Sequence, residues 1–269
     1  MGTRIGVVAG SGGFPLEALE EAKRQGLDCV VAGIRGEADP GLKLKAAVFA
    51  WLEPGEIQKL VSFFQKYEIR EVLLLGKVDP RSIYTKPGFD EAAGRMLAQV
   101  KDETPTSLLN AVFEFLEKQG ISVKDPSFLL QPYFCREGVL SEAQPSREAL
   151  ADIDFGWRIA RALADLDIGQ TIVVKDRCVA AVEGMEGTDE TMKRGGRLAG
   201  KGITVIKVGR THQDMRIDVP AVGIETLRNL IKVKGRALCI EADRVALFQK
   251  DDVITLANAN GIAVVAKKA

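Results

Sequence analysis

The stretch Ile5-Gly6-Val7-Val8-Ala9-Gly10-Ser11-Gly12-Gly13-Phe14-Pro15 decides the fold. Residues 5–9 read as a strand buried on both faces, the glycines as a tight turn, and the amphipathic run 15–24 as a helix. Working outward, the apolar run 29–34, the amphipathic run 56–67 and the apolar run 72–75 repeat that rhythm. The alternation predicts a parallel sheet covered by helices, because parallel strands need crossover connections. Leu108, Ala111, Val112 and Phe115 then recur at spacings of three and four, one helical stripe within 107–118 that Gly120 ends, and a short strand at 121–123 closes the domain.

Residues 125–145 carry Pro126, Pro132, Gly138 and Pro145 without a period, which suits an interdomain connection. Beyond it, 146–166 predicts a long helix with Leu150, Ile153, Trp157, Ala160 and Ala164 on one face. Strands are expected at 171–175, 179–183, 203–208, 237–241 and 262–265, several of them separated by helices. With 269 residues, 46% of them hydrophobic, the chain can build two cores. Lys plus Arg and Asp plus Glu both number 37, so no general charge attracts nucleic acid and any anion site must be local. Cys29, Cys135, Cys178 and Cys239 form no Cys-x-x-Cys pair and read mostly as small buried hydrophobes. No apolar stretch approaches the roughly 18 residues of a spanning helix, and a cytoplasmic, reducing compartment is expected.

Gly10, Ser11, Gly12 and Gly13 sit where backbone can approach a phosphate and a helix N-terminus favours negative charge. A ligand-free turn is the alternative. A nicotinamide fingerprint fits poorly, because Pro15 holds the third glycine position and Ile34-Arg35-Gly36 supplies no acid directly at the second strand's end. Lys77, after the strand at 72–75, either meets a phosphate or is a solvated lysine in a turn.

Three acidic clusters mark the second half: Asp167-Ile168-Gly169-Gln170, the run from Glu183 to Asp189, and the run from Gln213 to Pro220. Polar and apolar residues alternate through Arg216-Ile217-Asp218-Val219, so an extended backbone would put Arg216 and Asp218 on one face, and Pro220 with Gly223 would place them at a strand end. Thr188 reads as a helix N-cap followed by Asp189 and Glu190 at the positive end of the helix dipole, or as part of a site. Glu186 precedes that turn and is harder to explain by capping, although an exposed carboxylate needs no special role. His212, the only histidine, is a candidate general base or metal ligand with no evident partner motif. Nucleophile elbows and triad contexts are missing, which argues against covalent catalysis. Carboxylates with Arg and Lys nearby suit phosphoryl chemistry instead, since Mg²⁺ binds through few carboxylates and offsets charge on phosphate oxygens.

The ordered set of Val8-Ala9-Gly10-Ser11-Gly12-Gly13-Phe14-Pro15, Gly76-Lys77-Val78, Asp167-Ile168-Gly169-Gln170, Glu186-Gly187-Thr188-Asp189 and the run from Gln213 to Gly223 resembles a bacterial lipid A enzyme family, the UDP-2,3-diacylglucosamine pyrophosphatases of the LpxI type, over nearly the whole chain. The resemblance implies an α/β protein: an N-terminal Rossmann-like parallel-sheet domain, residues 1–132, plus a distinct C-terminal catalytic α/β domain, residues 133–269, with a cleft between them. It implies Mg²⁺-assisted hydrolysis of UDP-2,3-diacylglucosamine to UMP and 2,3-diacylglucosamine 1-phosphate (lipid X), with a homodimer and peripheral contact with the inner membrane. Asp218 matches the aspartate of the family's Arg-x-Asp-x-Pro motif and is the first candidate for a catalytic or metal-binding carboxylate. Asp214 and Arg216 follow as catalytic, Glu186 and Asp189 as metal ligands, and Gly10, Ser11, Gly12, Gly13, Lys77, Gln170, Thr188 and Gln213 as substrate-binding residues. Arg210-Thr211-His212 departs from the Lys-Pro that often precedes Gln-Asp in the family, and Ala221-Val222 replaces Thr-Ile after Pro220, which puts substrate details in doubt more than the reaction. Two competing classes are a non-catalytic sugar-nucleotide binding protein and a nicotinamide-dependent oxidoreductase, the latter disfavoured by Pro15.

Overall fold

The computed structural model describes residues 3–78, 89–98, 100 and 105–268. The chain forms two compact units, Met1–Leu130 with Asp214–Ile217, and Gln131–Gln213 with Asp218–Ala269.

The first unit holds five parallel strands, β1 (Thr3–Ala9), β2 (Leu27–Ile34), β3 (Val48–Leu52), β4 (Glu71–Leu75) and β5 (Ser122–Val123), in the order β3-β2-β1-β4-β5. Its helices are α1 (Phe14–Arg24), α2 (Leu42–Lys45), α3 (Ile57–Lys66), α4 (Glu91–Leu97), α5 (Pro105–Lys118) and α6 (Ser127–Leu130). Leu60, Val61 and Phe64 of α3 and Phe113 and Leu116 of α5 pack on Val30, Ala32 and Val72 of the strands. The expected Rossmann-like sheet is therefore present, and its order reverses between β1 and β4, the crevice where open α/β sheets take ligands. The edge strand β3 lies outside the sequence expectation: Val48-Phe49-Ala50-Trp51-Leu52 is a short continuous apolar run, which periodicity alone does not resolve into strand or helix.

The second unit contains β6 (Gly138–Val139), β7 (Thr171–Lys175), β8 (Cys178–Val182), β9 (Thr204–Lys207), β10 (Ala221–Val222), β11 (Ala237–Glu241), β12 (Ala246–Leu247) and β13 (Ala263–Lys267), with helices α7 (Arg147–Asp165), α8 (Thr188–Ala199), α9 (Ile224–Lys232) and α10 (Lys250–Ala259). Its main sheet runs β6-β13-β11-β9-β7-β8, while β10 and β12 pair separately. Part of the expected connection, Gly138–Val139, thus serves as an edge strand, antiparallel to β13. Ile153, Trp157, Ala160 and Ala164 of α7 pack on Ile172, Val174 and Ile206, whereas Met192 of α8, Leu227 and Leu230 of α9 and Val253 and Ala257 of α10 cluster with Val173, Val205 and Leu238. Leu150, expected in the α7 stripe, is 46% exposed, and Ala149 is buried in its stead. Counting back one turn from Ile153 reaches Ala149 as readily as Leu150, so the stripe alone does not choose. Ser146 caps α7, its Oγ accepting from the Ala149 amide at 3.2 Å, a contact worth about 1 kcal/mol.

Strand polarity sets the next level. β7 runs antiparallel to both β8 and β9, with Thr171 opposite Lys207, and β11 runs parallel to β9. Thr171, Glu183 just beyond β8, Lys207 and Glu241 therefore gather at one end of the sheet. Cys29, Cys135 and Cys239 are buried, Cys178 is exposed, and all four thiols are free. No helix among the described residues is long and apolar enough to cross a membrane.

Candidate active site

In the first unit the loop after β1 is joined to the loop after β4 by main chain. Gly10 N donates to Leu75 O at 2.8 Å, Ser11 N to Lys77 O at 2.7 Å, and Lys77 N to Ser11 O at 3.0 Å, with Ser11 Oγ also donating to Lys77 O at 2.9 Å. Gly10, Ser11 and Lys77 thus come together, followed by exposed Gly12 and Gly13 and by α1, whose N-cap Gly13 provides no side-chain cap. A Cβ on Gly10 would lie 2.3 Å from Lys77 O, so this glycine is required by the approach of the two backbones.

The segment Asp214–Ile217 also belongs to the first unit. It turns instead of extending, which overturns the expected sharing of one strand face by Arg216 and Asp218. Asp214 Oδ1 accepts from the Arg216 amide two residues on at 3.0 Å, a turn that an Asp side chain stabilises locally. The Arg216 guanidinium then folds back on the same carboxylate, with Nη2 to Oδ2 at 2.7 Å and Nε to Oδ1 at 3.0 Å, while stacking over Phe113 with its carbon 5.2 Å from the ring centre. Ile217 packs on the first unit's core. Hydrogen bonding from Arg216 holds the Asp214 carboxyl below the usual carboxylate range, and the same bonds raise Arg216.

Asp218 lies in the second unit, with its side chain 35% exposed. Gln170 Nε2 donates to its Oδ2 at 2.7 Å, Arg210 Nη1 stands 3.9 Å from the same oxygen, and Gln213 Nε2 donates to its main-chain carbonyl at 2.9 Å. Gln213 Oε1 in turn accepts from the Arg210 amide at 3.1 Å, and Arg210 Nη2 contacts Asp167 Oδ1 at 2.5 Å. Asp218, Gln170 and Gln213 are therefore brought together, joined by Arg210. Gln170 Oε1 and Arg210 Nε are buried without a hydrogen-bond partner among the described residues. Polar atoms left so beside a carboxylate are the ones a ligand or ordered water completes.

Glu183 and Lys207 adjoin this group; the sequence marks Glu183 only as the start of an acidic run and assigns Lys207 no role. Lys207 is only 6% exposed, and its Nζ donates to Thr188 Oγ1 at 2.7 Å and to Thr171 Oγ1 at 3.3 Å and faces Glu183 Oε2 at 4.0 Å. Glu183 Oε1 accepts from Thr188 Oγ1 at 2.9 Å and Oε2 from the Gln170 amide at 3.2 Å. Burial pushes the Glu183 carboxyl up, but Lys207, the two hydroxyls and the Gln170 amide outweigh it and hold the group below its ordinary range. The signal available for Lys207 is its place inside the apolar run 203–208, because lysines are rarely buried unless paired. Thr188 is the first residue of α8 and not its cap, which is Gly187 at φ 80°. Its hydroxyl is committed to Lys207 and Glu183.

Glu186 is held elsewhere. Arg194 Nη2 bonds its Oε1, Thr191 Oγ1 donates to the same oxygen at 3.2 Å, and Gly184 N donates to Oε2 at 3.1 Å. Led by the Arg194 bond, these contacts lower its pKa to about 2. Asp189 sits in the first turn of α8 with Oδ1 buried and without a hydrogen-bond partner among the described residues. Asp218, Glu186 and Asp189 do not assemble a metal cage: no group of three or more His, Cys, Asp or Glu side chains able to hold a metal forms among the described residues. Such a donor set would suit Mg²⁺ only where water or phosphate oxygens supplied most of its ligands. His212 is exposed in the turn after β9, where hydrogen bonds from Thr211 and then the charge of Arg161 lower the pKa of Asp165.

The sequence matches the LpxI N-terminal domain over residues 4–133 and the LpxI C-terminal domain over residues 136–265. It is 26% identical over 279 residues to the UDP-2,3-diacylglucosamine pyrophosphatase LpxI of Caulobacter vibrioides, spanning 97% of this chain and 96% of that protein. Among solved structures, the UDP-glucose-4-epimerase of Stenotrophomonas maltophila is 17% identical, covers 44% of this chain and 34% of its own, and has a TM-score of 0.30. The phosphoribosylglycinamide synthetase of Anaerococcus prevotii is 10% identical, covering 71% of this chain and 34% of its own at a TM-score of 0.27. With both domains matched in order along nearly its full length, the chain belongs to the LpxI family.

Proposed function

We propose that this protein hydrolyses the pyrophosphate bond of UDP-2,3-diacylglucosamine, releasing UMP and 2,3-diacylglucosamine 1-phosphate in lipid A biosynthesis. The observation that carries the reading is Asp218, a half-exposed carboxylate held by the Gln170 amide beside the Arg210 guanidinium, in a chain whose relative is named for that activity. Asp218 orients the attacking water and accepts its proton, or contacts Mg²⁺ on the substrate phosphates. When bound there, Mg²⁺ would supply charge neutralisation on those oxygens. Arg210 offers a fixed positive charge for developing phosphate charge. Gly10, Ser11, Gly12 and Gly13 are proposed phosphate contacts, supported by their place in the glycine loop that opens α1. Covalent catalysis is not required.

The test is a coupled UMP-release assay with UDP-2,3-diacylglucosamine, with and without Mg²⁺ and a chelator. Metal-stimulated UMP release is expected. Binding of UDP without UMP release would replace the enzyme with a sugar-nucleotide binding protein, and NADH binding by fluorescence would favour an oxidoreductase. Inner-membrane contact and a homodimer, both implied by the family, are tested by lipid flotation and light scattering.

A further inference from the structure

We propose that Lys207 and Glu183 are positioning residues for Asp218, acting through Gln170; the inference rests on Asp218 being the hydrolytic carboxylate. Lys207 occupies the last position of β9 with its ammonium enclosed, and its contacts include two hydroxyls and a carboxylate. An ammonium is removed from water only where such partners compensate it. Of the two oxygens of Glu183, one takes the Thr188 hydroxyl and the other takes the Gln170 amide while facing Lys207. Thr188 accepts from Lys207 and donates to Glu183, so the hydroxyl is polarised in one direction.

The chain continues outward from Glu183. Gly169 lies so close that a Cβ there would be 2.1 Å from Glu183 O, and this approach sets the main chain of Gln170 against the carboxylate. The Gln170 side chain, 8% exposed, then donates to Asp218 Oδ2. An ionised carboxylate only accepts, which assigns the amide nitrogen to this bond and leaves Oε1 unpartnered. Lys207 thus stabilises charged Glu183, Glu183 fixes Gln170, and Gln170 selects one orientation of Asp218. The free Oε1 remains to accept from the attacking water or a substrate hydroxyl.

The experiment compares the full chain with Lys207→Met, Glu183→Gln and the double variant. Kinetics of UMP release from UDP-2,3-diacylglucosamine are measured together with the Gln170 side-chain amide resonances in ¹⁵N-labelled protein, assigned with Gln170→Glu. Each single variant is expected to lower kcat by about ten- to a hundredfold with KM changed little, as misplacement of a reacting group does, and to shift the Gln170 amide signals. The double variant should be no worse than Lys207→Met, because both residues act along one path. Unchanged kcat in a folded single variant, or Gln170 signals that stay in place, would overturn the proposal. If Lys207→Met does not fold, Glu183→Gln, which keeps the side-chain shape, decides by the same criteria. If the wild type releases no UMP the hydrolase reading fails by itself, and the amide signals alone then decide whether Lys207 and Glu183 position Gln170.

Discussion

The two units offer a loop built from main chain and a site built from side chains. After β1 and β4, the groups that meet are amides and carbonyls of Gly10, Ser11, Leu75 and Lys77. At the corresponding end of the second sheet, Asp218, Gln170, Arg210, Glu183 and Lys207 meet through charges and side-chain amides. The first arrangement tolerates a change of side-chain chemistry and fails when a Cβ intrudes. The second tolerates changes in volume better than changes in charge. A phosphate could be met by either, and among the described residues named for the two arrangements the carboxylates stand in the second.

The largest expected effect tests that last distinction. Asp218→Asn keeps the shape and removes the charge, and UMP release should fall by about 10²–10⁴-fold, the range of a lost general base, with circular dichroism unchanged. Full metal-dependent turnover in the folded variant would move the chemistry away from Asp218. Second in size is Arg161→Met. Arg161 Nη1 binds both oxygens of Glu241 at 2.7 and 2.9 Å and Gly209 O at 3.1 Å, while Glu241 also accepts from Gly209 N. Glu241 is 1% exposed and would keep only the longer 3.7 Å contact with Arg244 Nε as an ion pair among the described residues, so removing its closest partner should cost about 3 kcal/mol, read by urea unfolding. The loop that starts at Gly209 carries Arg210 and Gln213, so turnover should suffer as well.

These residues also mark where sequence is informative. The strand and helix rhythm of the first unit is carried by local apolar runs, and β1, α1, β2, α3 and β4 follow from it, whereas the short α2 does not. The Asp218 environment is different in kind. Its partners come from positions 170 and 210, and the Lys207 cluster draws on residues 171, 183 and 188, separations that no local pattern reports. The alternation through Arg216-Ile217-Asp218 misled because it presumed an extended backbone. Asp214 bonds the amide two residues on, and Ile217 finds its apolar partners in the first unit.

Gly10→Ala probes the main-chain side of the comparison. The added methyl would sit 2.3 Å from Lys77 O, a backbone atom with little freedom to move, and overpacking of this kind costs about 1–3 kcal/mol. Lys77→Ala should change stability by less than about 0.5 kcal/mol, because the bridge uses only the lysine's backbone. Thermal midpoints of the two variants check this. A larger loss in Lys77→Ala than in Gly10→Ala would show that the loop depends on side chains after all.

The smallest effect concerns charge that is paired but wet. Glu186 has a pKa lowered to about 2, chiefly by Arg194, yet the two side chains are 32% and 38% exposed. Because the folded-state pKa lies below the ordinary value of about 4.3, the pair's stabilisation is present above that value and disappears as pH falls towards 2. Solvent screening keeps it below about 1 kcal/mol despite the size of the shift. Glu186→Gln should therefore lower the thermal midpoint slightly at pH 7, and the difference from wild type should vanish between pH 4 and pH 2. A midpoint difference that stays undiminished from pH 7 to pH 2 would mean that Glu186 acts through shape and hydrogen bonding to Gly184 and Thr191, as the main-chain loop of the first unit does, and not through charge.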